Sequence, residues 1–428
     1  MKTPLIALAL TLAACNGAKD TTDTSDPVGE LWRGAHTHTL LMGQADNAEV
    51  IKVVPGQRRA ILVSSKARKL TLLDVGASEL SVVREAVLFA DDPTESELTH
   101  VDIAPDGSWA AVTRTLIVKD GEGAQTDCGG EVVFVDASDS ESFGAVLSSV
   151  EVGPMPDYLD ISDDGAKVAV AAERDGPDAW GKCEVPGEVP SISVLDVSGG
   201  PASATEVTRV TMIDGDTGPR EPEAVVISPD GDLVVATLQD SNEVAMFSCA
   251  AVVGEATSDS VDIVHLPTNA LGAEAWPDGV TSFRDLDSSV FFVTAGEWND
   301  TFQVLSFTGE VVSNTDISAS DIPAGFPRVV SEGYPLFEPD SVSTFSFGGH
   351  SHVAMTLRQA GAVAVYDVSD ATAPSYVTAI QVGADETGGQ DEDGSVIRPE
   401  GIAAASDGSF IVVANEGESS VSLITRVE

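Results

Sequence analysis

A segment of one design recurs seven times in this chain, and such a repeat limits the fold more than any other property of the sequence. Its clearest copy runs from Arg398 to Glu416. Pro399-Glu400-Gly401 opens a run of small apolar residues, Ser406-Asp407-Gly408 supplies turn chemistry, and Phe410 to Ala414 is β-rich before a polar stop. The other openings are Ala48-Glu49-Val50, Thr99-His100-Val101, Pro156-Asp157-Tyr158, Pro222-Glu223-Ala224, Pro277-Asp278-Gly279 and Pro339-Asp340-Ser341. They fall 51 to 66 residues apart, room for four strands and their loops. Most copies carry a Gly turn after the first strand, as in Pro105-Asp106-Gly107; the fifth uses Asp285-Leu286-Asp287. A third run often ends in a Val-Asp signature, as in Val133-Phe134-Val135-Asp136 and Val365-Tyr366-Asp367-Val368, and a more polar fourth follows.

Strand-rich units of this length, almost without amphipathic helical pattern, predict an all-β chain: a seven-bladed β-propeller of four-stranded antiparallel blades. A solenoid or sandwich is the competing architecture. The seventh unit reaches the end of the sequence after three strands. Leu31 to Leu41 precedes the first inner strand and can supply the fourth, closing the ring with an N-terminal strand in the last blade. The expected propeller domain is therefore 31–428.

Ahead of it, Met1-Lys2-Thr3 is basic, Pro4 to Leu12 is a short apolar run, and Leu12-Ala13-Ala14-Cys15 follows. This is the pattern of a lipoprotein signal peptide over 1–14, with Cys15 as the lipidated residue and 15–30 as a flexible tether. An ordinary secretory peptide with an incidental Cys is the competing reading. The expected localisation is extracytoplasmic, in the bacterial cell envelope, anchored to a membrane (the outer one is favoured) by lipid at Cys15. Asp plus Glu outnumber Lys plus Arg by 69 to 22, a formal charge of −47, which excludes nucleic acid as a partner because no clustered cations can displace phosphate counterions. The chain is expected to be a monomer.

With these segments in place, the chain resembles seven-bladed propellers with YVTN-like repeats, and more narrowly the choice-of-anchor type I family. The carrying residues are Met155 to Gly165, Glu221 to Asp230, Gly361 to Val368 and the closing Pro399 to Glu416. These are mainly packing and turn residues, so they specify a fold more than a chemistry. Members of that family often carry an alkaline-phosphatase-like label, so the resemblance implies a metal-dependent phosphoesterase as an alternative function.

In a propeller the inner strands line the channel, so their first residues gather at one mouth. Six of the seven are carboxylates: Glu49, Asp157, Glu223, Asp278, Asp340 and Glu400; the seventh is His100. Such a ring needs solvation, protons or a bridging cation, and oxygen ligands suit Ca²⁺. The competing role for each acid is to accept backbone N–H groups of the neighbouring blade. Loops between second and third strands should open on the same mouth, bringing Lys66, Arg114, Glu173, Arg174, Gln239, Glu297, Trp298, Arg358 and Glu416. Of these, Arg114, Arg174 and Arg358 could grip an anion or neutralise the acids. Two acidic, Gly-rich connections offer further metal ligands, Asp214 and Asp216 in one, Asp391 and Asp393 in the other; both lack the full spacing of an EF-hand.

His36-Thr37-His38 and His350-Ser351-His352 place alternate histidines on one strand face, but on strands too far apart radially for one zinc site. Cys128 and Cys183 lie in loops of adjacent blades two and three and are expected to form a disulfide, leaving Cys249 as a free thiol. No Gly-x-Ser-x-Gly elbow, Cys-His pair, phosphate-binding Gly loop or dinucleotide fingerprint occurs. The leading expectation is a binding scaffold for an unknown protein or small-molecule ligand, with Ca²⁺ at the mouth. The phosphoesterase and a purely structural envelope protein are the alternatives.

Overall fold

The computed structural model describes residues 36–43, 47–121, 125–173, 183, 185, 189–214, 218–326, 337–384, 390–391 and 394–426. Each repeat becomes one antiparallel sheet. In blade 1 the order from the axis outward is Ala48–Val53, Arg59–Ser64, Lys69–Val75 and Leu80–Val87. Blades 2 to 7 begin at Leu98, Pro156, Pro222, Pro277, Pro339 and Pro399, and neighbouring inner strands touch around the full circle, the seventh against the first. The second and third strands are buried on both faces because each blade lies between two others. This is why Arg59–Ser64 and Phe410–Asn415 read as continuous apolar runs rather than alternating ones. Burying each such Val, Leu or Ile contributes roughly 1.5–3 kcal/mol, and the seams between blades are where that area is collected.

Ring closure follows the expected route. His36–Leu41 is the outermost strand of the last sheet, paired antiparallel with Ser420–Thr425 from His36 opposite Thr425 to Leu41 opposite Ser420. One feature departs from the repeat. Gly254–Thr257, ahead of the fourth strand of blade 4, crosses over and pairs in parallel with Thr205–Thr211, giving blade 3 a fifth strand and covering its open edge.

The turns between first and second strands lie on the face opposite the mouth. There Asp106 Oδ1 accepts from Ser108 N (2.9 Å) and Gly107 takes φ +70°; in blade 5, Asp285 accepts from Asp287 N and Ser289 N with Ser288 at φ +65°.

Candidate functional site

Every inner strand begins with a β-bulge. Pairing with the second strand skips from Ala48 to Val50, Leu98 to Val101, Pro156 to Tyr158, Pro222 to Val225, Pro277 to Val280, Pro339 to Val342 and Pro399 to Ile402. The skipped positions contain Glu49, His100, Asp157, Glu223, Asp278, Asp340 and Glu400. A bulge re-aims the unpaired side chain, and all seven line one cavity of about 250 Å³ at the axis. The Gly after two of the acids serves close approach: a Cβ on Gly279 would lie 2.6 Å from Asp340 O, and one on Gly401 2.6 Å from Glu49 O.

The chain enters five of these bulges through a left-handed residue that is not Gly: Asn47, Met155, Trp276, Glu338 and Arg398, with φ between 44° and 55°. The last four accept, at their carbonyls, the N–H of the residue just after the second strand, namely Glu173, Glu297, Arg358 and Glu416. That bond fixes the outer ring of the mouth, and Gln239 is held likewise on Glu221 O. In blade 2 the same position belongs to Thr115, whose N–H meets Glu97 O. Arg114, expected at the mouth, is therefore one residue out of register and turned away from the cavity. It pairs with Asp92 (2.7 Å) and Glu131 (2.8 Å) and lies 3.7 Å from the Phe89 ring centre, anchoring the blade 1–2 connection. Lys66 is exposed and does not line the cavity.

Lys52 and Arg358 are the only Lys or Arg among the described residues that line it. Arg358 faces five carboxylates: Asp340, Glu338 and Glu400 at 3.5 Å, Glu416 at 3.7 Å and Glu297 at 3.8 Å. All exceed ordinary hydrogen-bond length, so the guanidinium sits among the acids without a tight bond to any. Glu49, Glu223 and Asp278 enter no ion pair among the described residues. Burial first, then repulsion from neighbouring carboxylates, raises Glu49, Glu223, Asp278 and Asp340 well above the carboxylate range. Burial likewise lifts Glu400, against the pull of Arg358, and takes Glu297 to about 7. Carboxyl groups meet in pairs, Glu223 with Glu173, Glu297 with Glu338 and Glu400 with Glu416, each sharing a side-chain hydrogen bond that requires a proton.

Below the mouth lies a second charged group that the repeat pattern did not reveal. Lys52 Nζ donates to Tyr158 Oη (3.4 Å) and is held protonated, despite burial, by Tyr158, Asp102 and Asp160. Asp102 Oδ2 accepts the N–H of Ile161 and Asp160 Oδ2 that of Ile227, both at 2.8 Å. These two aspartates, deeper in the inner strands, do the blade-to-blade capping considered for the mouth acids. Glu49, Glu223, Asp278, Asp340 and Glu400 accept no backbone N–H of a neighbouring blade among the described residues. A charged residue in an otherwise apolar inner strand was the available signal.

The histidine pairs stay apart, one on the outermost strand of blade 7 and the other in blade 6, where His350 Nδ1 meets Asp367 Oδ2 at 2.8 Å and His352 stacks on Phe345. Cys128 and Cys183 form the expected disulfide, with a Cα–Cα distance of 5.5 Å, and Cys249 is free. Asp214 and Asp391 fall in two-residue strands of short hairpins, Ile213–Asp214 with Gly218–Pro219 and Gln390–Asp391 with Gly394–Ser395. Cys15, Arg174, Asp216 and Asp393 lie outside the described residues. Among those described, no three His, Cys, Asp or Glu side chains converge closely enough to chelate a metal.

Residues 49–217 match the family model of the Choice-of-anchor I domain, in keeping with the resemblance read from the repeats. No curated protein matches the chain. Among solved structures, the periplasmic gluconolactonase of Pseudomonas aeruginosa is similar at TM-score 0.56 and 16% identity, over 89% of this chain and 91% of that one. A streptogramin B lyase gives 0.54 and 14%, over 93% and 100%, and the hydrazine synthase of Kuenenia stuttgartiensis 0.54 and 14%, over 90% and 97%. At such identities the likeness is one of fold.

Proposed function

We propose that this chain, a seven-bladed propeller carrying the choice-of-anchor I pattern over 49–217, is a binding module whose acidic mouth takes up a cationic group. The observation that carries this reading is the charge imbalance at one cavity. Glu49, Glu223 and Asp278 face it without a described counter-ion, while Arg358 is already shared by five other carboxylates. A bound cation would relieve their repulsion, so binding should release protons and stabilise the fold. Ca²⁺ would have to be held through water between the spread acids, since no inner-sphere set converges among the described residues.

The protein would work outside the cytoplasm, tethered by lipid at Cys15 to a bacterial envelope membrane. The first fifteen residues and the Cys128–Cys183 disulfide support that setting. A phosphoesterase is the less favoured reading. Phosphoryl transfer needs cations aimed at the developing negative charge, and Arg358 is surrounded by acids.

Thermal unfolding of the mature protein near pH 8 tests the proposal, with Ca²⁺ and methylammonium titrated against tetrabutylammonium, too bulky for the cavity, at equal ionic strength. Saturable stabilisation by a small cation is expected. Equal effects of all three at every concentration would sink the cation reading, and aryl-phosphate hydrolysis abolished by chelation would replace it with the enzyme.

A further inference from the structure

Resting on the cation reading of the mouth, we infer that the occupant is a small hydroxylated primary amine of the amino-sugar class. Its ammonium would lie between Glu223 and Asp278, and its hydroxyls would accept from His100 and Arg358.

His100 is 1% exposed yet lines the cavity. Leu159 N–H points at its Nδ1 (3.4 Å), which leaves the proton of the neutral ring on Nε2. No protein acceptor meets that Nε2–H among the described residues, so a buried donor faces the cavity and calls for an oxygen. Arg358 makes the same demand, since its carboxylate contacts of 3.5 to 3.8 Å leave its N–H groups free to bond more closely.

The two demands together narrow the ligand. Glu223 and Asp278 occupy adjacent blades and need a donor with several N–H directions, which an ammonium supplies and a bare metal ion does not. A ligand carboxylate or phosphate would satisfy Arg358 but meet the surrounding acids, so the acceptors must be neutral, as hydroxyls are. The cavity, about 250 Å³, suits one small molecule.

Titration calorimetry on the mature full chain tests this with glucosamine, N-acetylglucosamine, methylamine and Ca²⁺. Glucosamine should bind best. Acetylation, which removes the charge, should weaken binding on the order of a hundredfold, by analogy with losing one partner of a desolvated charge pair. Removing the hydroxyls, as in methylamine, should cost on the order of tenfold. His100→Phe should lower glucosamine affinity about tenfold more than it lowers methylamine affinity, and Glu223→Gln with Asp278→Asn should weaken both. Methylamine binding as tightly as glucosamine would overturn the hydroxylated class while leaving the cation reading intact, as would binding of Ca²⁺ alone. No binding by any of the four would end both. The ligand series decides the matter even if a variant fails to fold.

Discussion

The two faces of the propeller use the same acidic side chains in opposite ways. On the turn face, Asp106 and Asp407 accept hydrogen bonds from the serine two residues further on and Asp164 and Asp230 first from the serine two residues back, and those bonds hold their carboxyls below the ordinary range. At the mouth, burial and mutual repulsion push Glu49, Glu223, Asp278 and Asp340 well above it. An Asp that caps its own turn is a structural part, satisfied locally. An Asp thrust into the channel by a bulge is left wanting a proton or a cation. Net charge alone does not separate the two; backbone geometry does.

The largest consequence is in the pH dependence of stability. A carboxyl raised in the fold contributes stability that is present below its unfolded pKa and lost as pH rises through the folded value. Glu297, raised from 4.5 to about 7, should by itself account for on the order of 3 kcal/mol lost across that window. The turn aspartates act with the opposite sign, stabilising above their ordinary pKa and losing that contribution as pH falls below it. Urea unfolding should therefore show a maximum at about pH 4–6 and a decline towards pH 8. Glu297→Gln should flatten the decline, and an unchanged slope would mean that burial does not raise Glu297 in the fold.

Arg358→Met should come next, costing about 3 kcal/mol near pH 8, because removing a partner leaves buried carboxylates uncompensated. Near pH 5 the loss should shrink as the acids take up protons. A cost independent of pH would assign Arg358 to packing. Gly401→Ala should cost about 2 kcal/mol through overpacking against Glu49 O, at any pH, separating the bulge geometry from the charge it displays.

Much of this contrast was legible in the sequence. The repeated opening named all seven channel residues, and the missing fourth strand of the last unit located the closing strand, because spacing and turn chemistry are local. Register was not legible where no polar stop marked a strand end. In blade 2, Thr113 to Val118 runs on as β without a break, so nothing in the sequence distinguished Arg114 from Thr115 as the mouth residue. Glu338 was missed for another reason. It lies ahead of Pro339-Asp340, and only the left-handed turn into the bulge brings it to Arg358. The fifth strand of blade 3 depends on an edge contributed by another blade, which no local pattern encodes.

The smallest effect gives the sharpest comparison, since one residue type is altered on each face. Asp106→Ala removes the acceptor for Ser108 N (2.9 Å) and Ser108 Oγ (2.6 Å), and should cost about 1 kcal/mol near pH 7. As pH falls below the ordinary carboxylate range the difference should shrink, because the wild-type carboxyl takes up a proton and no longer favours those donors. Asp278→Asn at the mouth should change stability with the reverse sign, gaining near pH 8 because the amide keeps the shape of the protonated acid without the charge. Chemical unfolding of both variants at the two extremes reads this directly. If Asp278→Asn destabilised the fold near pH 8 as Asp106→Ala does near neutrality, Asp278 would be a satisfied structural acid and the mouth would have no unmet charge for a ligand to fill.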